Sequence, residues 1–211
     1  MYKFLKMPTF ISLSLIAGLQ QQTEYILNKA ISEWQMIPHT KFALRPAAEK
    51  WSANECLQHL NSYGNYYIPA IEKAIRHSIL KQQYPSAQFK TGWLGNYFTH
   101  LMLPAKDGSI KKMNSPGAHV PRHIPESHEV ITAFIDQQER MLQLLETAKK
   151  TDLNKTKVPI SIAPLIKLKL GDVFSFVIAH NQRHVLQAEN ALNAQQQKSA
   201  AAAEHDFALH V

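Results

Sequence analysis

The sequence predicts an all-α domain, a four-helix bundle with a long loop between its second and third helices. Four segments repeat their inward residues in steps of three and four, which is the spacing of one helix face. A capping motif, Ser-Ala-Asn-Glu at 52–55, stands immediately before the second segment. Residues 82–124, between the second and third segments, contain four glycines and four prolines, and so long a loop is usually functional or disordered. We expect a bundle over residues 1–193 and a disordered tail over residues 194–211.

The first helix is predicted to end before Pro38. Its inner face carries residues spaced three or four apart, namely Ile16, Leu19, Thr23, Ile26, Ala30 and Trp34. Residues 10–17, which follow Lys3 and Lys6, faintly resemble a secretory signal peptide, but serines break the short apolar run and no cleavage site follows. We interpret this segment as the start of the first helix, with a cleaved signal as the alternative.

The second helix is predicted from Ser52 to about Ile75. The Ser52 hydroxyl can accept a hydrogen bond from the Glu55 amide, and the Glu55 side chain can reach back to the Ser52 amide. The residues that follow in steps of three and four are Cys56, His59, Tyr63, Tyr66 and Ala70. Aromatic residues at this spacing belong to a core more often than to a catalytic site, so Tyr63 and Tyr66 are assigned to the core.

The loop 82–124 and the third helix come next. Aromatic and aliphatic residues at the start of the loop predict that its first third packs, as a short helix over one end of the bundle. The third helix is predicted to begin near Pro125, with an inner stripe of Val130, Phe134, Met141, Leu145 and Ala148. Residues 151–169 form a connector whose alternating apolar residues allow a short extended piece.

The fourth helix has the most regular spacing. Its inward positions alternate strictly between steps of three and four: Leu170, Val173, Val177, His180, His184, Gln187 and Ala191. This pattern is typical of a helix packed nearly parallel or antiparallel to its neighbours. After Asn193 the chain becomes rich in glutamine and alanine, which is the basis for the predicted disordered tail.

Composition limits the location and the partners. The formal net charge is +7 and the pI is about 9.4, but the basic residues are scattered in short groups, so no nucleic-acid partner is predicted. Cys56 is the only cysteine, which excludes an intramolecular disulfide and fits a reducing compartment. No apolar stretch approaches the roughly 20 residues of a membrane span. We expect a cytoplasmic protein without a membrane partner.

Three histidines form the candidate site. His180 and His184 take the positions that Val173 and Val177 hold one heptad earlier, so both imidazoles point inward, one turn apart. His59 lies on the inward stripe of the second helix and would supply a third ligand. Three neutral imidazoles with an open fourth position are typical of a catalytic metal site. The alternative is that these are core histidines with internal hydrogen-bond partners, because a pair at this spacing arises by chance in a chain with eleven histidines.

A second group of histidines does not predict a site. His119, His123 and His128 also lie close together in the sequence. Pro121 and Pro125 interrupt the stretch, so no helix is expected to turn these rings to one side.

Two segments resemble the signatures of the DinB-like (YfiT-like) superfamily. Residues 50–60, Lys-Trp-Ser-Ala-Asn-Glu-Cys-Leu-Gln-His-Leu, are similar to a signature in which a tryptophan-serine pair precedes a helix with a metal-ligating histidine. Residues 180–187, His-Asn-Gln-Arg-His-Val-Leu-Gln, are similar to the second signature, two histidines flanking three residues that include arginine, and then glutamine. The resemblance extends over about residues 10–193.

The resemblance implies an up-down-down-up bundle whose three histidines hold a divalent ion, commonly nickel or zinc, completed by water. It also implies a homodimer and a metal-dependent hydrolase or thiol S-transferase that acts on a small molecule. The metal can lower the pKa of water for hydrolysis, or it can hold a thiol substrate as the reactive thiolate. An ion that only staples the second and fourth helices together, without catalysis, is the competing hypothesis. A nucleic-acid-associated protein is a third.

Two further residues are candidate catalytic groups. Gln187, on the inward seam, could be a hydrogen-bond partner of the ligands or of the substrate. Glu55 could orient His59 or act as a base, although its capping role explains it without catalysis. Arg183 is offset from the seam, which is compatible with a surface, dimer-contact or anion-binding role.

Overall fold

Six helices and two small sheets make up the chain in the computed structural model, which describes residues 7–105, 107–123 and 125–209, with side chains as far as Lys198. The helices are α1 (Ser12–Lys29), α2 (His39–Phe42), α3 (Ala53–Leu80), α4 (Trp93–Met102), α5 (Ser127–Ala148) and α6 (Leu170–Leu209). The strands are β1 (Thr9–Ile11), β2 (Gln88–Lys90), β3 (Lys157–Ile160) and β4 (Ala163–Lys169). A five-residue π-helical stretch, Ala30–Trp34, continues α1.

The four long helices pack through their predicted inner faces. Helix α3 lies against α5 and α6, and α1 lies against the same two helices. The core falls into two hydrophobic clusters along the helix axes. One cluster contains Tyr67, Met141 and Phe174, and the other contains Trp34 and Phe134. Because burial of apolar surface is the main favourable term in folding, these two clusters are the principal source of stability.

Helix α3 begins where the capping motif predicts. The Glu55 amide donates to Ser52 Oγ at 3.2 Å, and the Ser52 amide donates to Glu55 Oε2 at 2.9 Å. This capping box satisfies two of the amide groups that a helix start leaves unpaired. The helix passes through the exposed Pro69 and ends at Leu80, one turn beyond the predicted end near Ile75.

The region 82–124 has more regular structure than a loop. Strand β2 pairs antiparallel with β1, with Thr9 opposite Lys90. Helix α4 is the short packed helix that the aromatic residues predict, and it lies against α6. Strands β3 and β4 form an antiparallel hairpin in the predicted connector, with Val158 and Leu168 paired on its buried side.

Both ends of the chain differ from the prediction. Residues 9–11 form β1, so the first helix begins only at Ser12, and Lys3 and Lys6 lie outside the described residues. Helix α6 continues to Leu209 where a disordered tail was expected after Asn193. Glutamine, alanine and lysine favour helix. Two tertiary contacts also hold its outer part, since Gln195 Nε2 donates to the Leu44 carbonyl at 2.7 Å and Lys198 Nζ donates to the Pro46 carbonyl at 2.7 Å.

None of the helices in the described part of the chain combines the length and the apolar character required to cross a bilayer.

Asp172 fixes the start of α4 against α6. Its carboxylate accepts from the Gly92 amide, at 3.0 Å to Oδ2, and so caps α4 from another helix. Gly95, one turn into α4, lies so close that a Cβ there would come 2.3 Å from Asp172 Cβ. In contrast, a Cβ on Gly18 of α1 would meet nothing within 4 Å.

The same substitution at these two glycines is expected to have opposite effects. Gly95→Ala should lower the free energy of unfolding by about 1–3 kcal/mol, because Asp172 or the α4 backbone must move. Gly18→Ala should raise it by about 0.5–1 kcal/mol, because alanine favours helix and fits freely. Urea denaturation of both variants tests this, and equal effects would contradict the packing of α4 on α6.

Asp172 should also make stability depend on pH. Burial raises the pKa of this carboxyl to about 6, although the Gly92 amide and the charges of Lys169 and Lys157 oppose the rise. The folded carboxyl therefore binds a proton more readily than the unfolded one, and ionised Asp172 costs stability above pH 6 but not below pH 4. Asp172→Asn should gain stability relative to the wild type as the pH rises from 4 to 6. A pH-independent difference in urea midpoints would contradict this.

Candidate metal centre

Helices α3 and α6 bring the three predicted histidines together. His59 comes from α3, and His180 and His184 come from consecutive turns of α6. One ring nitrogen from each lies within 4.8 Å of the other two. His59 Nε2 lies 3.1 Å from His180 Nε2. The three histidines lie where the two hydrophobic clusters of the core meet. Leu60 and Val185, near the histidines, belong to the cluster that contains Trp34. Tyr63 and Ile178, also near them, belong to the cluster that contains Tyr67.

The three rings are neutral because they are buried. His59 is 2% exposed, His180 3% and His184 8%. Burial lowers the pKa of His59 to about 4, against a weaker raising effect of its hydrogen bond to the His119 carbonyl. Burial, and then the neighbouring imidazoles, hold the pKa of His180 and His184 well below the usual range. Neutral imidazole is the form that binds a metal, so this environment preserves the ligand state.

The hydrogen bonds of the cluster fit a divalent cation. Two nitrogens bound to one tetrahedral ion at 2.0–2.1 Å lie about 3.3 Å apart, which is close to the 3.1 Å between His59 Nε2 and His180 Nε2. His180 Nδ1 and His184 Nδ1 are buried without a hydrogen-bond partner. The nitrogen of His180 that faces His59 is Nε2, so its unpaired Nδ1 lies on another edge of the ring and is not the atom that would bind the ion. Imidazole nitrogens suit zinc, nickel, copper and iron.

Aromatic rings enclose the histidines. The Trp51 ring centroid lies 5.1 Å from that of His59 and 5.9 Å from that of His184. The Tyr63 ring lies 5.0 Å from His59 and 4.3 Å from His180. Tyr63 is 6% exposed, so it belongs to the core, as predicted, and forms a wall of the site as well. These rings keep water away from the nitrogens.

The segment between α4 and α5 covers one side of the cluster. His59 Nδ1 donates to the main-chain carbonyl of His119 at 2.7 Å. Arg183 Nη2 donates to the Lys111 carbonyl. The Arg183 side chain is buried, not at the surface as one of its predicted roles required, because the carbonyl of this segment pairs with it inside the protein. His59, a member of the histidine cluster, and Arg183, beside it on α6, therefore hold the segment in place.

The second group of histidines is divided by the structure. His119 lies in a 3₁₀ turn, Gly117–His119, and is 8% exposed, whereas His123 and His128 are exposed. The prolines do prevent these rings from sharing one face, as predicted, but His119 still reaches the site on its own. The sequence interpretation concerned a site formed by these histidines themselves, and it did not anticipate the contact of His119 with His59.

The two candidate catalytic residues have different surroundings. Both carboxylate oxygens of Glu55 are engaged, Oε2 by the Ser52 amide and Arg45 Nε, and Oε1 by Arg45 Nη2. The Arg45 guanidinium and the Ser52 hydrogen bonds hold the pKa of Glu55 below its usual range, although burial opposes this. The capping role and this ion pair account for Glu55. Gln187 is partly buried one turn beyond His184, and its side chain raises the pKa of that imidazole slightly against the effect of burial.

Cys56 lies one turn before His59 but is not a ligand candidate. It is fully buried, and burial raises the pKa of its thiol above the ordinary range. Among the described residues, the group of possible ligands contains only the three histidines.

Sequence reasoning missed the contacts of Trp51 and His119. Trp51 could have been suspected, since it directly precedes the capping serine of the helix that carries His59. His119 is 60 positions from His59, in a segment without helical period, and no spacing rule relates the two. Two surface grooves of about 400 and 860 Å³ lie elsewhere, beside Ile11 and Leu153 and beside Met36 and Leu192, and none of the three histidines lines them.

Comparison with known proteins gives a match to a family model. Searches of curated proteins and of solved structures give no significant match. The family model described as the DinB superfamily matches residues 22–188, a range that includes all three histidines, Trp51 and the segment that covers them. The chain belongs to the DinB superfamily.

Proposed function

We propose that the protein binds one divalent metal ion through His59, His180 and His184. The observation that supports this best is the convergence of three buried, neutral imidazoles from two helices within 4.8 Å of one another. Three imidazole rings are costly to bury in an apolar core, and a cation bound by ring nitrogens that face one another would offset part of that cost. We take the four long helices to be the four-helix bundle of the superfamily, with this site between its second and fourth members.

We further propose an enzyme that acts on a small molecule, either as a hydrolase or as a thiol S-transferase. A divalent ion, with nickel or zinc as our first choices, would supply Lewis acidity toward water or a thiol. The chain's own groups hold the ligands neutral, orient His59 through the His119 carbonyl and exclude bulk water with Trp51 and Tyr63. We propose that Gln187, whose side chain interacts with the His184 imidazole, is a partner of that ring or of the substrate. The homodimer and the cytoplasmic location stay predictions from the sequence.

A structural ion is the second candidate, and the burial of the site favours it. His59 and His180 are almost inaccessible, and an ion there would tie α3 to α6. The two hydrophobic clusters on either side argue that the helices pack without this link. A catalytic ion and a structural ion therefore differ in their effect on stability: chelation should unfold helices only if the ion is structural.

Metal content is expected to depend on these three histidines and on no surface histidine. His59→Ala should reduce the affinity for Zn²⁺ or Ni²⁺ by more than roughly 10–100-fold. That is the loss expected when a residue that only hydrogen-bonds a metal ligand is removed, and His59 is proposed as a ligand itself. His77→Ala is the matched control, because His77 is exposed on the same helix. Mass spectrometric metal analysis of protein purified without an affinity tag, followed by titration calorimetry, measures both. Equal metal content in the two variants would refute the site.

Chelation separates the two candidate roles. If the ion is catalytic, metal-free protein and His184→Ala should keep their helical circular dichroism. Free metal at a hundredfold excess over Kd should raise the free energy of unfolding by about 2.7 kcal/mol, the amount that binding to the folded state alone requires. The melting temperature should rise accordingly. Turnover of a panel of thiols with a chromogenic electrophile, or of hydrolysable esters and amides, should vanish. Loss of helical structure on chelation would instead support the staple.

A further inference from the structure

The strongest contact to His59 outside the cluster comes from the segment between α4 and α5. His59 Nδ1 lies 2.7 Å from the His119 carbonyl oxygen and 3.3 Å from Ser115 Oγ. A carbonyl oxygen can only accept a hydrogen bond, so His59 Nδ1 carries the hydrogen. The other nitrogen, Nε2, is then an unprotonated lone pair, and it is the atom that faces His180 at 3.1 Å.

The side chain of His119 holds this carbonyl in place. Its Nδ1 lies 2.6 Å from Ser62 Oγ, one turn after His59 on α3. Its ring packs on Tyr63 with centroids 4.0 Å apart. The ring is 8% exposed although its neighbours Ala118 and Val120 are exposed. The His119 side chain thus helps to anchor the turn to α3.

We propose that His119 is a positioning residue of the metal centre, which fixes the tautomer of His59 through its main-chain carbonyl. This inference rests on the proposed metal-binding function. The His119 ring sets the position of the turn, the carbonyl takes the Nδ1 hydrogen, and Nε2 is left free to bind a cation. Metal-bound histidines commonly donate their second nitrogen to a carbonyl in this way, and loss of such a partner lowers metal affinity roughly 10–100-fold.

Without this acceptor, His59 has less reason to keep its hydrogen on Nδ1. The hydrogen would move in part to Nε2, where it would oppose a cation and face the His180 ring. Binding of a metal would then require a change of tautomer before coordination. The effect of losing the His119 ring should therefore appear in metal affinity and in the tautomer, and not in the packing of the helices.

The first test measures the tautomer in metal-free protein. Long-range ¹H–¹⁵N spectra of histidine-labelled protein should show His59 protonated at Nδ1 in the wild type, and a mixture of tautomers in His119→Ala. His119→Asn, whose amide can still pair with Ser62, should keep the wild-type pattern. A wild-type spectrum with the hydrogen on Nε2, or an unchanged spectrum in His119→Ala, would overturn the proposal.

The second test measures Zn²⁺ affinity and the visible spectrum of the Co²⁺ form. His119→Ala should lose roughly 10–100-fold in affinity and change the Co²⁺ spectrum, while His119→Asn should recover most of both. His123→Ala, an exposed histidine in the same segment, is the matched control and should match the wild type. Ser62→Ala removes the hydrogen bond of the His119 ring but keeps its packing on Tyr63, so it should show a smaller loss of affinity. This variant provides the test if His119→Ala fails to fold.

The two tests fail in distinguishable ways. If the wild type bound neither Zn²⁺ nor Co²⁺, the metal-binding function would fall, and the role of His119 in metal binding would fall with it, whatever the tautomer. If the wild type bound metal and His119→Ala bound it equally well, only the role of His119 would be refuted.

Discussion

The contact between α3 and α6 is the feature on which the rest of the structure depends. Along most of its length the contact is apolar, with Leu57 and Tyr67 on α3 and Val177 and Val185 on α6 buried in the core. Midway, three imidazoles replace the aliphatic side chains. Burying these polar rings is unfavourable unless their nitrogens find partners. The surrounding elements meet this requirement in part, with a carbonyl for His59, and leave nitrogens of the other two rings unpaired. A cation would be a suitable partner for the ring nitrogens that face one another within the cluster.

Much of the site could be predicted because it follows from helical periodicity. His180 and His184 continue the inward positions of Val173 and Val177, and His59 continues those set by the capping box at Ser52. Each is a local rule applied to one helix, and two such helices in contact bring the rings together. The contacts that the sequence could not predict join residues far apart in the chain. Both contacts use main-chain carbonyls, of His119 and of Lys111, and any residue type could supply such a group.

The departures at the chain ends have a similar origin. Strand β1 exists because Thr9–Ile11 finds β2 some eighty residues later, and three residues are too few for a strand pattern to be recognised. The part of α6 after Asn193 is rich in glutamine and alanine, a composition that is common in disordered tails. The same residues form helix readily when a preceding helix supplies the nucleus. Composition alone did not separate the two outcomes. The contacts of Gln195 and Lys198 with the segment before α3 show what favoured helix.

The burial of Cys56 affects how the protein would tolerate reactive chemicals. It holds the only sulfhydryl group of the chain, and its environment keeps that group protonated and shielded. A protonated, inaccessible sulfhydryl is a poor nucleophile. In the folded chain this thiol should therefore neither be alkylated by electrophiles nor form a disulfide with another copy by air oxidation. An enzyme that works near electrophiles, or that binds sulfur compounds, would gain from this inertness, since it would not be consumed by its own reagents.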